Sequence, residues 1–272
     1  MSFRKITEES LAHRDLEHKS VLELLLLINE EDQKVALAVK KCISRIQPFI
    51  ETLVERMKLG GRLIYIGAGT SGRMGILDAS ECPPTFGVPS DWVVGLIAGG
   101  DEAIRKSVEH AEDSETQAWI DLKRIQVDAL DTVIGLAASG TTPYVIHGLK
   151  HCQENQIVTS CITNNPGSPI IQFANFPIEC EVGPEFISGS TRLKSGTALK
   201  LILNMISTVA MIQLGRIKNN KMVNMQLNNE KLIERGVLMI MQETGLERKA
   251  SKDLLLEMGS VSKVLDFLKK NK

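Results

Sequence analysis

Apolar positions follow two rhythms along the chain. From about Asp32 to Lys58, Val35, Leu37, Val39, Ile43, Ile46, Ile50, Leu53, Val54 and Met57 recur with the spacing of an amphipathic helix. Pro48 is expected to kink or divide that helix, and Gly60-Gly61 to end it. Ahead of it the chain is polar up to about Asn29, apart from one apolar cluster from Val21 to Ile28.

Beyond Gly61 the rhythm changes to short apolar runs, and strands are predicted at 63–66, 92–97, 132–137, 157–162 and 177–180. Helical stretches separate them: 71–80, a pair within 102–126, 143–154, and a short one near Ile170. Strands that alternate with helices argue for an α/β fold with a doubly wound, parallel, five-stranded sheet. The runs are almost wholly apolar, as expected when helices cover both faces of the sheet. A long helix is predicted over 192–218, with Leu193, Ala198, Leu201, Ile202, Met205, Val209, Ile212 and Leu214. It carries more apolar surface than one buried stripe needs, so it suits either the core or a contact between subunits. The tail, 229–272, reads as about three short helices split near Gly245 and Gly259, a small helical C-terminal appendage.

Composition narrows the function classes. The 272 residues carry 32 Lys plus Arg against 33 Asp plus Glu, so there is no general basic footprint for nucleic acid. No uninterrupted apolar run approaches the roughly 18 residues expected of a membrane helix, and the charged N-terminus lacks the apolar segment of a signal peptide. The five cysteines (Cys42, Cys82, Cys152, Cys161, Cys180) form no CxxC pair and suit free thiols in a reducing cytoplasm. His147 and His151 stand four apart on a predicted helix without a nearby Glu in the spacing a zinc site needs, so no metal is expected.

Two of the predicted strands run into loops of the same make. After 63–66 comes Gly67-Ala68-Gly69-Thr70-Ser71-Gly72-Arg73, and after 132–137 comes Ala138-Ser139-Gly140-Thr141-Thr142-Pro143. A strand, a small-residue loop and a helix N-terminus together present backbone N–H groups and the positive end of a helix dipole to an anion. Gly67, Gly69 and Gly72 also satisfy GxGxxG, but the acidic ribose partner of a dinucleotide site is displaced: Asp101 follows the next strand only after Gly99-Gly100. Arg73 stands where a nucleotide P-loop would have lysine. The hydroxyls of Thr70, Ser71, Ser139, Thr141 and Thr142, in two parallel loops, suit a monophosphate better, and a sugar phosphate bound between the loops is expected.

Longer stretches carry a more specific resemblance. Residues 61–73 continue to Leu77-Asp78-Ala79-Ser80-Glu81-Cys82-Pro83-Pro84-Thr85; beyond them stand Gly95-Leu96-Ile97-Ala98-Gly99-Gly100, Ala111-Glu112-Asp113 and Gly189-Ser190-Thr191-Arg192-Leu193-Lys194-Ser195-Gly196-Thr197-Ala198. Together these resemble the N-acetylmuramic acid 6-phosphate etherases, within the sugar isomerase (SIS) fold group. The resemblance runs from about Ile6 to about Leu232 and more loosely beyond. It implies cleavage of a lactyl ether from a sugar phosphate, giving N-acetylglucosamine 6-phosphate and D-lactate. It also implies a cytoplasmic homodimer working in cell-wall sugar salvage, with no cofactor and with neither nucleic acid nor membrane as partner.

On that resemblance the chain divides into an N-terminal helical segment, 1–50, packing on the core or a partner subunit; a sugar-phosphate-binding SIS domain, 51–220; and the appendage, 221–272. Three departures stand out. Thr141 replaces the usual Arg of the second phosphate loop, Asn224 replaces a usual Asp, and the appendage is short.

The implied chemistry needs two carboxyls in opposite protonation states. With the sugar ring open, the C2 proton is acidic because its carbanion is an enolate; a base removes it while an acid protonates the departing lactate oxygen on C3, and water then adds back. The resemblance matches Glu81 to the acid and Glu112 to the base, 31 residues apart (112 − 81). Glu81 is expected at a helix C-terminus, before Pro83-Pro84, where the dipole favours a protonated carboxyl. His110 and Asp113 are rival bases. The resemblance and the loop pattern assign Thr70, Ser71, Gly72, Ser139, Gly140, Thr141 and Thr142 to the phosphate. Glu185 is a candidate for sugar hydroxyls, and Arg192 or Lys194 for a phosphate or enolate oxygen, although the three also suit pairing with one another; Lys200 suits a helix surface. A sugar-phosphate isomerase shares the enolate step and is the enzymatic alternative; a non-catalytic sugar-phosphate sensor is the other.

Overall fold

Five parallel strands form one sheet in the order β2-β1-β3-β4-β5: β1 (Leu63–Gly67), β2 (Val93–Ile97), β3 (Thr132–Leu136), β4 (Val158–Thr163) and β5 (Phe176–Glu179). This computed structural model describes residues 3–11 and 13–270; Met1, Ser2, Ala12, Asn271 and Lys272, within the predicted segments 1–50 and 221–272, lie outside the described residues. Every residue of the two central strands, β1 and β3, is buried, which explains their apolar composition.

Helices cover both faces. On one side α1 (Val21–Lys40), α2 (Ile43–Lys58), α3 (Gly69–Phe86) and α7 (Lys194–Gln213) build a core from Phe49, Leu53, Tyr65, Ile134, Ile202 and their neighbours. On the other, α5 (Gln117–Arg124) and α6 (Pro143–Glu154) pack Leu122, Tyr144 and Leu149 against Ile64, Ile66 and Val133. A short α4 (Glu102–Arg105) follows β2.

The chain leaves β1 for β2 on one side, and β3 pairs on the other. The strand order therefore reverses between β1 and β3, and the loops after these strands flank the crevice where open α/β sheets bind ligands.

Several local expectations are corrected. The predicted helix over 32–58 is two helices, parted at Lys41-Cys42 and not at Pro48, which lies inside α2. At the break Lys41 N donates to Ala38 O and Cys42 N to Val39 O, tightening the last turn of α1. Val39, Cys42 and Ile46 thereby all enter the same core, and the boundary drawn at 50/51 falls inside α2.

Helix α3 runs through Pro83 and Pro84 to Phe86 and stops at Gly87, whose φ of 62° and N–H bond to Pro83 O make a left-handed cap. The amides missing at the prolines are offset by burial of Cys82 and Phe86 against the sheet and α7.

Helix α7 is shorter than predicted. Its 20 residues are apolar enough on average to span a bilayer, although no run is uninterrupted, and α1, α2 and α3 pack against it.

The tail folds as α8 (Glu230–Thr244), α9 (Arg248–Met258) and α10 (Val261–Lys270), parted by left-handed Gly245 and Gly259. It has a core of its own, with Val237, Ile240, Leu255 and Val264 around Val223.

Candidate active site

The two hydroxyl-rich loops meet in one cavity of about 460 Å³, which Thr70, Ser71, Ser139, Thr141 and Thr142 all line. Thr70 and Ser71 form the first turn of α3, whose leading amides have no partner within the helix. Thr142 caps α6 without spending its hydroxyl on the cap, and Pro143 at the first helical position has no N–H to satisfy. Both helices aim their positive ends at the same space.

Gly72 and Gly140 do not line the cavity; they shape it. Gly72 N donates to Ala68 O, and a Cβ on this residue would stand 2.6 Å from Ile97 Cγ1 and 2.9 Å from Gly67 O. Only glycine lets α3 start so close to the sheet. Gly140 has a φ of 70°, and its Cβ would lie 1.9 Å from Ser168 Oγ. Their assignment as phosphate ligands is thus replaced by a role in backbone shape.

Glu112 and Asp113 reach the cavity from a single 3-10 turn, Ala111–Asp113. They also line a neighbouring cavity of about 340 Å³, with His110 and Arg73. His110 enters the turn with a φ of 59°, and its Nδ1 lies 3.4 Å from Asp113 Oδ2. Glu112, Asp113 and His110 are exposed.

Glu81 is elsewhere. It is exposed on α3 and lines neither cavity, whereas Glu112 lines both. Because α3 continues to Phe86, Glu81 precedes the last turn and does not stand at the helix C-terminus. Its neighbour Asp78 is buried and accepts from Tyr65 Oη (2.8 Å) and Ser207 Oγ (3.1 Å). Burial pushes the Asp78 carboxyl up and the Tyr65 phenol well above its ordinary range.

The proposed sugar contacts are committed to structure. Glu185, fully buried, accepts the amides of Lys194 and Ser195, both at 2.9 Å, and so caps α7. Lys194 Nζ pairs with Glu31 Oε2 at 2.6 Å. Arg192 and Lys194 line a separate cavity beside α1, with Leu24, Ile28 and Asp32. Neither side chain pairs with Glu185 among the described residues, and neither lines the cavity of the phosphate loops. Lys200, half-buried on α7, bonds Asn204 Oδ1 one turn on.

Sequence reasoning missed four lining residues: Lys5, Glu8, Gly189 and Thr191. The last two lie in the stretch that carried the resemblance, three and one residues before Arg192. Lys5 and Glu8 had no such signal beyond the match starting near Ile6, since only tertiary contacts bring the N-terminus to the loops.

Comparison with known proteins decides the family. An N-acetylmuramic acid 6-phosphate etherase of Bacteroides fragilis is 57% identical over 268 residues, 98% of this chain and 95% of that protein. One from Bacteroides thetaiotaomicron is 54% identical over 271 residues, 100% of this chain and 98% of that protein. The chain belongs to the N-acetylmuramic acid 6-phosphate etherase family. Models of the glucokinase regulatory protein N-terminal SIS domain and of the SIS domain match residues 45–153 and 110–209.

Solved structures agree on the fold. A putative phosphosugar isomerase involved in capsule formation from Bacteroides fragilis superposes with a TM-score of 0.55 at 22% identity, covering 72% of this chain and 94% of its own. A phosphoheptose isomerase from Francisella tularensis gives 0.55 at 13% identity, covering 71% and 100%.

Against the etherase pattern, Thr141 leaves the second loop without a charge, while its N–H bonds Ser139 Oγ at 3.2 Å. Asn224 Nδ2 donates to Arg216 O at 2.9 Å, a bond that the usual Asp has no hydrogen to make.

Proposed function

We propose that the chain is a carbon–oxygen lyase that cleaves the D-lactyl ether of N-acetylmuramic acid 6-phosphate, yielding N-acetylglucosamine 6-phosphate and D-lactate in the salvage of cell-wall amino sugar. The observation that carries this reading is the single cavity in which both hydroxyl loops face the Glu112 carboxylate. The loops bind the phosphate, through hydroxyls of Thr70, Ser71, Ser139, Thr141 and Thr142 and through amides at two helix N-termini.

With the sugar open as the aldehyde, Glu112 takes the C2 proton and the electron pair enters the carbonyl as an enolate. The pair then returns to form the C2–C3 double bond as the C3–O bond breaks, and Glu81 gives its proton to the lactate oxygen. Water adds to C3 and a proton returns to C2. The sequence moves protons and electron pairs only, and calls for no redox partner.

The mechanism needs Glu81 in the same site, and this reading takes it from a second copy of the chain. Two observations support a homodimer: Glu81 is exposed away from its own cavity, and α1 exposes Val21, Leu22, Leu25 and Leu26, each at least 60% accessible. Cytoplasmic action belongs to the same reading and suits five buried free thiols.

The test is D-lactate release from N-acetylmuramic acid 6-phosphate with EDTA present and no cofactor added. Release by the wild type that vanishes in Glu81→Ala and Glu112→Gln supports the lyase. Binding of the sugar phosphate without release would leave an isomerase or a sensor.

A further inference from the structure

The N-terminal turn Ile6–Glu8 is anchored over the candidate site. Thr7 N donates to Asn165 Oδ1 (3.1 Å), and Asn165 Nδ2 donates back to Thr7 Oγ1 (3.0 Å) and to Ala138 O of the second loop (3.0 Å). Gly189 N donates to Thr7 O (2.9 Å) and Ser188 Oγ to Glu8 O (2.6 Å). A Cβ on Gly189 would fall 2.6 Å from Glu8 Oε2, so that carboxylate lies directly on the glycine. Ile6 and Thr7 are buried, and the flanking Lys5 and Glu8 side chains are thereby held at the cavity wall.

The charges on that wall are unbalanced for an anionic ligand. Glu8, Glu112 and Asp113 are acidic, and Lys5 is the one cation among the described lining residues. A phosphate monoester adds a charge of about −1.5 to −2 near neutral pH. Nearby basic groups are engaged or turned away. Arg73 Nε donates to Ile104 O (2.9 Å) and its Nη2 to Lys106 O (3.3 Å); Lys194 is paired with Glu31; Arg192 lines the cavity beside α1. Thr141 brings no charge to its loop. The Lys5 ammonium has no hydrogen bond or ion pair among the described residues.

We infer that Lys5 binds the phosphate of the sugar 6-phosphate, supplying from the N-terminal turn the positive charge that the two loops lack. The inference rests on the etherase reading above and adds a residue to it. A lysine suits the place: its flexible stem carries a point charge from the rim to an oxygen that the loop amides already orient.

The experiment compares full-length wild type, Lys5→Met and Lys5→Arg in D-lactate release, with inorganic phosphate as competing inhibitor. Lys5→Met should raise KM by about 10- to 100-fold, the range for losing a charge-assisted hydrogen bond. Its kcat should stay within about threefold of wild type, since binding lost equally from ground and transition states leaves kcat unchanged. Inhibition by phosphate should weaken in proportion, Lys5→Arg should restore most of the KM, and all three proteins should melt together. An unchanged KM and phosphate inhibition in an active Lys5→Met would overturn the role of Lys5 alone. A wild type that releases no lactate would overturn the etherase reading, and this inference with it.

Discussion

Lys194 Nζ lies 2.6 Å from Glu31 Oε2, and both side chains are buried between α1 and the start of α7. Lys34 Nζ bonds the other oxygen of Glu31 at 2.6 Å, and His13 approaches that same oxygen at 3.8 Å. Next to the pair, Glu185 caps α7 through the Lys194 amide. One residue thus joins the N-terminal helix to the helix that underlies the sheet.

Removing one partner leaves the other charge buried. Lys194→Met should destabilise the chain by about 3–5 kcal/mol, whereas Glu31→Gln combined with Lys194→Met should cost less than the sum of the single changes. Urea unfolding of the four proteins measures this. Loss of activity in Lys194→Met with unchanged stability would instead return Lys194 to the substrate.

Two buried carboxyls give opposite pH dependences. Burial pushes Glu31 up, but the bonds from Lys194 and Lys34 outweigh it and hold Glu31 below its ordinary 4.5. Its contribution is therefore present above that value and lost as pH falls through the depressed one. Burial raises Asp78 above its ordinary 3.8, despite the bonds from Tyr65 and Ser207. Its contribution is present below that value and lost as pH rises through the raised one. Urea midpoints between about pH 3 and 7 should show Glu31→Gln flattening the acid fall, and Asp78→Asn flattening the loss on the rising side.

A site shared between copies predicts complementation. Glu81→Ala should keep exchange of the C2 proton while losing lactate release, and Glu112→Gln should lose both, by about 100-fold or more. Mixed one to one and allowed to exchange subunits, the two inactive proteins should recover about a quarter of wild-type release, because half of randomly assembled dimers would hold one intact site of two. No recovery after proven exchange would place both glutamates in one copy. Exchange that persists in Glu112→Gln would move the base to Asp113 or His110.

Gly140→Ala places a Cβ 1.9 Å from Ser168 Oγ at a φ of 70°. The second loop must shift, so KM should rise at least several-fold, with stability falling by about 1–3 kcal/mol. Ala at Gly60, which also has positive φ but nothing within 4 Å, is the control for conformation alone and should spare KM.

The local patterns in the sequence were enough for the strands, the order of α and β elements, the three tail helices and the five hydroxyl residues now found around one cavity. They are legible because period, glycine punctuation and small polar loops are properties of neighbouring residues. The misplaced boundaries have non-local causes. Pro83-Pro84 fails to stop α3 because Cys82 and Phe86 gain burial against α7 and the sheet. Lys41-Cys42 breaks the first long helix where its buried face must turn.

Charged residues divide along the same line. By itself the sequence determined that the chain has an α/β sheet with two anion loops, since each is written in consecutive residues. Only the tertiary structure decided that Glu185 caps a helix, that Lys194 pairs with Glu31 163 residues away, and that Lys5 and Glu8 lie beside loops more than 60 residues on. The partner of a charge is set by which segments the core brings together, and neither spacing nor residue type encodes that.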